Sequence, residues 1–486
     1  MDKGASGFML AAPASGSGKT AAACGLMAAL RGRGLAVRAC KCGPDYIDPM
    51  FHREVLGLDS LNLDLFFSDP ESLRQNFAHH AAGADVTVVE GVMGYYDGMG
   101  LDTDQGSSYD VASVLGLPVI LVVPARGAAL SLAATVLGII GFRKQTNIRG
   151  ILLNRVSAML YPRLKKMLEE ELKKAGHEIP VIGYLPENPA FRFESRHLGL
   201  ITPQEIEGLK EQTAQAGRIL TETVDLELIL RIAGEAERTD RVDKGTEAEE
   251  ERKETRRSLP RTEGKNRLRI GIARDRAFCF YYKDNLELLE RLGCELVPFS
   301  PLADAHLPDG ISGLLIGGGY PELYGETLSR NTGLLTEIHD RIGEGMPCLA
   351  ECGGFMYLHE EMTDRDGNVW KLAGTVRGKT WPADRLVRFG YVRIKAPQAP
   401  GGDSVSGRAD SYLLPGEEIR AHEFHYWDSS DNGNDCLAVK PDGRRSWQCI
   451  HMEGNLFAGY PHLYLPSLPA FAERFIQRCR NWRKRK

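Results

Sequence analysis

The chain has 486 residues, 43% of them hydrophobic and 26% charged, so it is too long for one ordinary hydrophobic core and has the composition of a soluble globular protein. A formal net charge of −5 excludes the strongly basic surface of a nucleic-acid-binding protein. The longest charge-free runs fall short of the ~18–20 residues that cross a bilayer, so neither nucleic acid nor a membrane is a predicted partner. The ten cysteines lack the even spacing of a disulfide framework, which predicts a reducing compartment and hence the cytoplasm.

The N-terminal half is predicted to form an α/β domain. Short apolar runs alternate there with helical patterns, and such runs are typical of buried parallel strands. These predicted strands cover residues 8–12, 86–89, 119–123 and 151–153. We therefore expect a parallel-sheet domain over residues 1–234.

A glycine-rich segment follows the first predicted strand. Residues 12–20, APASGSGKT, stand between that strand and a helical pattern, where backbone N–H groups can surround phosphates. Lys19 is expected to contact the outer phosphates of ATP, and Thr20 to bind Mg²⁺ through its hydroxyl. Although the first glycine of the usual P-loop motif is a proline here, the context predicts nucleotide binding. The predicted ATP-binding residues of this loop are Ser15, Gly16, Ser17, Gly18, Lys19 and Thr20.

Two acidic loops follow at the ends of later strands. The segment GPDYIDPMFH, residues 43–52, contains Asp45 and Asp48, and the segment EGVMGYYDG starts with Glu90 and contains Asp97. A P-loop protein normally places an acidic group after such a strand, facing the metal. Any one of these aspartates alone is better explained as a turn former with local hydrogen bonds. Their occurrence together after a P-loop favours function, with Asp48 and Glu90 as Mg²⁺ ligands.

A strongly polar segment separates the two halves of the chain. Residues 235–266 carry mixed charge and few apolar residues, which predicts a charged linker. Beyond it, strand-like runs at residues 268–272 and 313–316 flank a helical pattern at residues 285–293. A second α/β domain is therefore predicted over residues 267–486.

The C-terminal half contains a candidate nucleophile. In PCLAECGGFMYL an apolar strand leads to Cys352, two glycines follow, and a helical pattern comes next, as in a nucleophile elbow. The backbone N–H of Gly353 is expected to form half of an oxyanion hole, and Gly318 and Gly319 of the turn GGGYPE the other half. His462 near the C-terminus is the predicted base.

Two other patterns resemble metal sites and are rejected. Cys40 and Cys42 form a C-x-C pair with no second pair, so core packing is the better interpretation. His422 and His425 lie in RAHEFHYW, which lacks the spacing of the H-E-x-x-H metalloprotease motif. On a strand these two histidines would point to opposite faces, so at most one is expected to face a site.

These segments together resemble the cobyrinic acid a,c-diamide synthases of cobalamin biosynthesis. The resemblance covers nearly the whole chain, and the segments that carry it are ASGSGKT, GPDYIDP, EGVMG-x-YDG, ILLNRV, RHLGL at residues 196–200, GGGYPE, AECGGFMYL and HEFHY. It implies a dethiobiotin-synthetase-like P-loop ligase domain followed by a class I-type glutamine amidotransferase domain.

The resemblance also implies an activity. Two acetate carboxylates, a and c, of a corrin, cobyrinic acid, would be phosphorylated by ATP in the presence of Mg²⁺ and then amidated with ammonia released from glutamine at Cys352. Asp45, Tyr46 and Asp97 are the expected substrate-binding residues, and Asn154 resembles the adenine-reading asparagine of the family. The expected partners are the corrin, ATP and glutamine, with a homodimer as one possible assembly.

One departure from the family pattern concerns the base. An acidic third member of a Cys-His-Glu triad would stand two residues after His462, but Tyr464 occupies that position. We therefore predict a Cys-His pair.

Two alternatives remain open at this stage. The same machinery could amidate a related tetrapyrrole, hydrogenobyrinic acid or nickel-sirohydrochlorin. The chain could instead be a P-loop regulatory ATPase with an inactive amidotransferase module, although that would require a degraded nucleophile or phosphate loop.

Overall fold

The computed structural model describes residues 6–193, 203–236, 267–396 and 411–485. The chain divides into two compact units, Met1–Thr246 and Glu247–Lys486, and their border falls within the predicted linker. Residues 237–266 of that linker and the RHLGL segment at residues 196–200 lie outside the described residues.

The first unit contains a seven-stranded sheet in the order β3-β2-β4-β1-β5-β6-β7, and all neighbouring strands are parallel. Its strands are apolar along most of their length because helices on both faces remove them from water. The predicted parallel α/β sheet is confirmed. The strands are β1 (Gly7–Ala11), β2 (Val37–Cys42), β3 (Ser60–Leu63), β4 (Val86–Glu90), β5 (Val119–Pro124), β6 (Ile148–Asn154) and β7 (Val181–Leu185).

Eight helices belong to the described part of this unit. They are α1 (Lys19–Gly32), α2 (Ile47–Glu54), α3 (Pro70–Ala81), α4 (Ser108–Leu115), α5 (Leu130–Gly141), α6 (Tyr161–Lys174), α7 (Pro203–Thr223) and α8 (Leu226–Ala233). Because β2, β4 and β1 are adjacent and parallel, the loops after them meet at one edge of the sheet. The glycine-rich loop and both acidic loops follow these three strands, so the sheet brings them together.

The second unit is built on a five-stranded parallel sheet in the order β10-β8-β11-β13-β22. Two of its strands, Leu268–Ala273 and Leu314–Ile316, agree with the runs predicted at residues 268–272 and 313–316. The predicted fold class is confirmed. The remaining strands form three further sheets of two, four and five strands, and the five-stranded one is antiparallel.

The strands of this unit are β8 (Leu268–Ala273), β9 (Phe278–Phe280), β10 (Cys294–Phe299), β11 (Leu314–Ile316), β12 (Gly318–Gly319), β13 (Cys348–Glu351), β14 (His359–Thr363), β15 (Val369–Lys371), β16 (Val376–Pro382), β17 (Arg388–Lys395), β18 (Glu418–His425), β19 (Trp427–Ser429), β20 (Cys436–Val439), β21 (Ser446–Cys449), β22 (Leu456–Gly459) and β23 (His462–Leu463). The α-helices are α9 (Lys283–Arg291), α10 (Gly325–Arg330), α11 (Thr332–Gly343), α12 (Gly353–Tyr357) and α13 (Pro469–Arg485). Among the described residues of both units, none of the helices is long and apolar enough to span a bilayer.

Candidate active sites

The glycine-rich loop connects β1 to α1 at the carboxyl edge of the first sheet. Ser15 and Gly16 are exposed, whereas Ser17 and Lys19 are buried. Lys19 Nζ donates to the carbonyl oxygens of Met93, at 2.5 Å, and Ala14, at 3.3 Å. Burial first, and then the neighbouring Lys41, lower the pKa of Lys19 to about 8. The loop thus holds an ammonium group beside the carboxylates described next.

Asn154 ends β6 and contacts this loop directly. Its Nδ2 donates to the carbonyl oxygen of Ser17 at 2.8 Å. Gly18 has a φ of 97°, a conformation that favours glycine, and a Cβ atom there would collide with the Asn154 amide. Asn154 therefore lies at the phosphate loop, and its adenine-reading role stays a prediction.

A buried cluster of charges lies at the ends of β2 and β4. Thr20 Oγ1 donates to Glu90 Oε1 at 2.6 Å. Lys41 Nζ lies 2.9 Å from Glu90 Oε1 and 2.6 Å from Asp48 Oδ2. The three residues predicted as metal ligands are therefore joined through shared contacts, with a lysine ammonium between the two carboxylates.

Sequence reasoning misses two members of this cluster, Lys41 and His52. His52 Nδ1 hydrogen-bonds to Ser60 Oγ at 2.9 Å, and its Nε2 lies 3.7 Å from Glu90 Oε2. A lysine inside the buried strand β2 is a signal that could have found Lys41, because an unpaired ammonium would be costly there.

The charges of the cluster affect one another. Burial raises the pKa of Asp48, and the adjacent Glu90 raises it further, against the opposing effect of Lys41. Burial also opposes ionisation of Glu90, but Lys41 and then His52 outweigh it and hold the pKa of Glu90 well below its usual range. Glu90 is thus held as a carboxylate, while Asp48 is the more readily protonated of the two.

The oxygen donors of this cluster fit a magnesium ion. Mg²⁺ prefers oxygen ligands, and in nucleotide sites it uses one or two carboxylates together with phosphate oxygens. Thr20, Asp48 and Glu90 supply such donors beside the phosphate loop. Within the described residues no group of three or more His, Cys, Asp or Glu side chains could hold a metal.

The predicted substrate-binding residues lie in the two acidic loops. Asp45 Oδ1 accepts from the backbone N–H of Ile47 at 2.8 Å, and Asp97 Oδ2 accepts from that of Gly94 at 2.7 Å. Asp45 and Tyr46 are partly buried, and Asp97 is exposed. One oxygen of each aspartate therefore stabilises its own turn, and the substrate-binding role stays a prediction.

In the second unit, Cys352 lies between β13 and the short helix α12. It has φ 49° and ψ −107°, a strained conformation for a residue with a side chain, and it is 7% exposed. Its N–H donates to the carbonyl oxygen of Gly459 in the neighbouring strand β22, at 2.8 Å. This strained strand-to-helix turn is the geometry of a nucleophile elbow.

The three glycines predicted for the oxyanion hole lie around Cys352. A Cβ atom on Gly353 would come within 2.8 Å of the Pro321 ring and 3.1 Å of the Gly319 nitrogen. A Cβ atom on Gly318 would collide with the His462 ring and lie 3.4 Å from Cys352 Cβ. The backbone of β12 therefore packs directly against the nucleophile and the predicted base.

His462 begins β23 and faces Cys352. His462 hydrogen-bonds to the Cys352 side chain, and the Gly318 Cβ position would lie 3.3 Å from His462 Nε2 and 3.4 Å from Cys352 Cβ. The other ring nitrogen, Nδ1, lies 3.7 Å from Glu351 Oε2. Burial lowers the pKa of His462, but Cys352 and then Glu351 raise it, and the resulting pKa is about 10. Sequence reasoning misses Glu351, which directly precedes the nucleophile.

The two histidines of β18 are both buried near this site. His422 pairs with His462 across β18 and β23, and burial followed by the proximity of His462 lowers the pKa of His422 to about 3. His425 stacks on Tyr460 with ring centroids 3.9 Å apart, and burial lowers the pKa of His425 to about 4. Both imidazoles are therefore neutral at pH 7.

Two family models match the two units. The model of the CobQ/CobB/MinD/ParA nucleotide binding domain matches residues 8–201. The model of the CobB/CobQ-like glutamine amidotransferase domain matches residues 269–469. The first match contains the phosphate loop and its charge cluster, and the second contains Cys352 and His462.

Curated proteins are similar over almost the full chain. The chain is 36% identical to the cobyrinate a,c-diamide synthase of Caldanaerobacter subterraneus subsp. tengcongensis, with 97% of this chain and 98% of that protein covered. It is 35% identical to that of Listeria innocua serovar 6a, with 95% and 97% covered. It is 36% identical to that of Salmonella typhimurium, with 97% and 98% covered.

Proposed function

We propose that this chain, which belongs to the cobyrinate a,c-diamide synthase family, amidates the a- and c-acetate carboxylates of cobyrinic acid through acyl phosphates. The family consists of glutamine-dependent amidotransferase ligases of cobalamin biosynthesis. The observation that carries this proposal is the presence of two complementary half-sites on one chain. One half-site has the phosphate loop beside a buried carboxylate pair, and the other has a strained cysteine beside a histidine.

The glutaminase half-reaction follows from the second half-site. His462, whose pKa is raised to about 10, holds the proton given up by Cys352, and the Cys352 sulfur attacks the side-chain amide carbon of glutamine. The backbone N–H groups of Gly353 and of the β12 glycines are available to stabilise the oxyanion. His462 returns the proton to the leaving nitrogen, which departs as ammonia and leaves a thioester. Water, deprotonated by His462, then cleaves the thioester to release glutamate.

The synthetase half-reaction uses the first half-site. An acetate carboxylate oxygen attacks the γ-phosphorus of ATP, ADP leaves, and an acyl phosphate forms. Ammonia then attacks the acyl carbon, and phosphate departs in place of the poor hydroxide leaving group. The loop N–H groups and Lys19 are suited to bind the phosphates. Thr20, Asp48 and Glu90 would hold Mg²⁺, which when bound offsets the phosphate charge.

The position of the two acidic loops supports a carboxylate as the group that is phosphorylated. Asp45, Tyr46 and Asp97 lie in the two acidic loops that also supply the metal donors. A carboxylate to be phosphorylated must approach the γ-phosphate, so residues of these loops are suited to orient it. ATP and glutamine as co-substrates also agree with the cytoplasm predicted from the cysteine pattern.

Product mass tests the proposal. Purified chain is incubated with cobyrinic acid, ATP, Mg²⁺ and glutamine, and parallel reactions contain hydrogenobyrinic acid or nickel-sirohydrochlorin. A mass loss of about 2 Da on cobyrinic acid, about 1 Da for each hydroxyl exchanged for an amino group, is the expected result.

The other outcomes discriminate between the alternatives. Amidation of only one rival ring would keep the chemistry and change the substrate. Glutamine hydrolysis without amidation of any ring would contradict the tetrapyrrole assignment. ATP hydrolysis with no glutaminase activity would favour a regulatory ATPase.

Formation of the acyl phosphate is tested by the transfer of an oxygen isotope from the substrate to phosphate. With ¹⁸O in the substrate carboxylates, an acyl phosphate transfers one ¹⁸O atom to inorganic phosphate for each amide formed. Unlabelled phosphate would contradict the acyl-phosphate step while leaving the amidation itself intact.

A further inference from the structure

The acid that a glutaminase triad normally places after its histidine is Tyr464 here, yet a carboxylate lies beside His462. Glu351 ends β13, and its Oε2 lies 3.7 Å from His462 Nδ1. Its other oxygen, Oε1, accepts from the backbone N–H of Leu463 at 3.2 Å. The Glu351 side chain is only 12% exposed, so little water competes for it. Both oxygens thus face β23, the strand that carries the predicted base.

We propose that Glu351 is the acidic partner of His462, a positioning residue contributed by the position immediately before the nucleophile. The inference rests on the roles proposed above for Cys352 and His462. It replaces the predicted Cys-His pair by a triad in which nucleophile and acid are consecutive residues.

Strand pairing explains how consecutive residues reach opposite sides of one imidazole. β13 pairs with β22 in parallel, with Glu351 opposite Gly459, and the chain then turns into β23. Glu351 is the last residue of β13 and Cys352 lies in the strained turn that follows, and both contact the His462 ring. The Nδ1 atom of that ring lies 3.7 Å from Glu351 Oε2, so Nε2 is the nitrogen available to Cys352.

The other titratable groups around His462 do not substitute for this carboxylate. His422 on β18 and His425 at its end are neutral imidazoles at pH 7, since burial lowers the pKa of each. Glu423 lies between them in sequence, and burial raises its pKa to about 7. Of the two carboxylates Glu351 and Glu423, only Glu351 forms an ion pair with His462, at 3.7 Å.

Glu351 can act on the reaction in two ways. A carboxylate only accepts hydrogen bonds, so the Glu351 carboxylate favours the neutral tautomer of His462 that carries its proton on Nδ1. In that tautomer the Nε2 lone pair is available to take the proton of the Cys352 thiol. Once His462 has taken that proton, the nearby negative charge stabilises the imidazolium. A merely structural role, through the Leu463 N–H, would do neither.

The substitution Glu351→Gln separates these roles because the two side chains have the same shape. A glutamine can offer its oxygen to the Leu463 N–H, but its NH₂ group then faces His462 Nδ1. Nδ1 of His462 would then have to accept a hydrogen bond from that NH₂ group, and the ring would carry its proton on Nε2. A protonated Nε2 cannot take the proton of Cys352. Glu453→Gln, at an exposed position of the same unit, is the matched control.

The experiment measures glutaminase kcat/KM against pH for wild type, Glu351→Gln and Glu453→Gln in the full chain, together with synthesis from ammonium chloride. For Glu351→Gln we expect a fall in kcat/KM on the order of 10- to 100-fold. We also expect the high-pH limb to move down by about one pH unit, because the imidazolium loses its stabilising charge. Ammonium-dependent synthesis should be unchanged, and Glu453→Gln should match wild type.

Two results with Glu351→Gln would overturn the proposal. One is full glutaminase activity in Glu351→Gln. The other is lower activity with an unmoved high-pH limb, which would assign Glu351 a structural role. If the variant does not fold, the proposal is tested in the wild type by the ¹⁵N chemical shifts of the His462 ring. A ring without a proton on Nδ1 at pH 7 would contradict the proposal. Glutaminase activity that survives Cys352→Ala would instead overturn the proposed site itself.

Discussion

Replacing Lys41 by methionine should destabilise the first unit strongly and in a pH-dependent way. Lys41, Asp48 and Glu90 are 5%, 9% and 0% exposed, and the ammonium lies 2.6 and 2.9 Å from the two carboxylates. Removing one partner of such a buried ion pair leaves an uncompensated charge and costs about 3–5 kcal/mol. Lys41→Met should therefore lower the free energy of unfolding of this unit by that amount at pH 7.5.

Acid should recover part of this loss. Burial and the charge of Glu90 already raise the pKa of Asp48 in the wild type, and without Lys41 the opposing contribution disappears. Asp48 then binds a proton in the folded state at pH values where it is ionised in the unfolded state. The free energy of unfolding therefore rises as the pH falls from the pKa of Asp48 in the folded state towards its pKa in the unfolded state. Between pH 7.5 and 5.5, uptake of one proton can restore up to about 3 kcal/mol.

The tryptophans make this measurable in the full chain. All five, at positions 370, 381, 427, 447 and 482, belong to the second unit. In urea unfolding, circular dichroism at 222 nm follows both units, whereas tryptophan fluorescence follows the second alone. The Lys41→Met loss should appear in the dichroism and be absent from the fluorescence.

The control is Lys165→Met, which removes a half-exposed lysine 3.8 Å from Glu169 on α6. A surface pair of this kind contributes roughly 0–1 kcal/mol. A Lys41→Met transition that coincides with that of the control at pH 7.5, or that becomes less stable at pH 5.5, would refute the electrostatic reasoning.

Three further outcomes are expected. Cys352→Ala should abolish glutamine-dependent amidation and leave ammonium-dependent amidation, measured by product mass. Thr20→Val should raise the Mg²⁺ concentration needed for half-maximal synthesis by on the order of tenfold, since it removes a donor that contacts Glu90, while glutaminase activity is retained. Gly18→Ala should abolish ATP binding in calorimetry and cost about 1–3 kcal/mol in the first unit, because φ is 97° and the new methyl group would collide with Asn154.

Much of the fold could be predicted from local patterns. The strands of both parallel sheets are short apolar runs between turn signals, and the motif segments stand at their carboxyl ends. The region around residues 370–447 was less predictable because its strands are partly exposed and pair in antiparallel or mixed sheets. Their partners are chosen by packing, which single-sequence periodicity does not record.

Two of the three site residues that sequence reasoning missed, Lys41 and Glu351, show a second reason. Lys41 stands between two cysteines that attract attention as a metal pattern, and its partners Asp48 and Glu90 come from different loops. Glu351 is adjacent to the nucleophile, but it reaches His462 only because β13 pairs with β22 and the chain then returns as β23. A search at fixed spacing after the histidine finds Tyr464, whereas the carboxylate is supplied by tertiary structure.

The tight packing around the nucleophile has an evolutionary consequence. Side chains at Gly318 and Gly354 would strike the His462 ring and the Ile316 carbonyl, so the glutaminase half tolerates almost no substitution there. Asp97 and Tyr46, by contrast, lie in loops with an exposed or partly buried surface. Divergence towards other acceptor rings is therefore expected to accumulate in those loops, while the ammonia-producing half is inherited nearly unchanged.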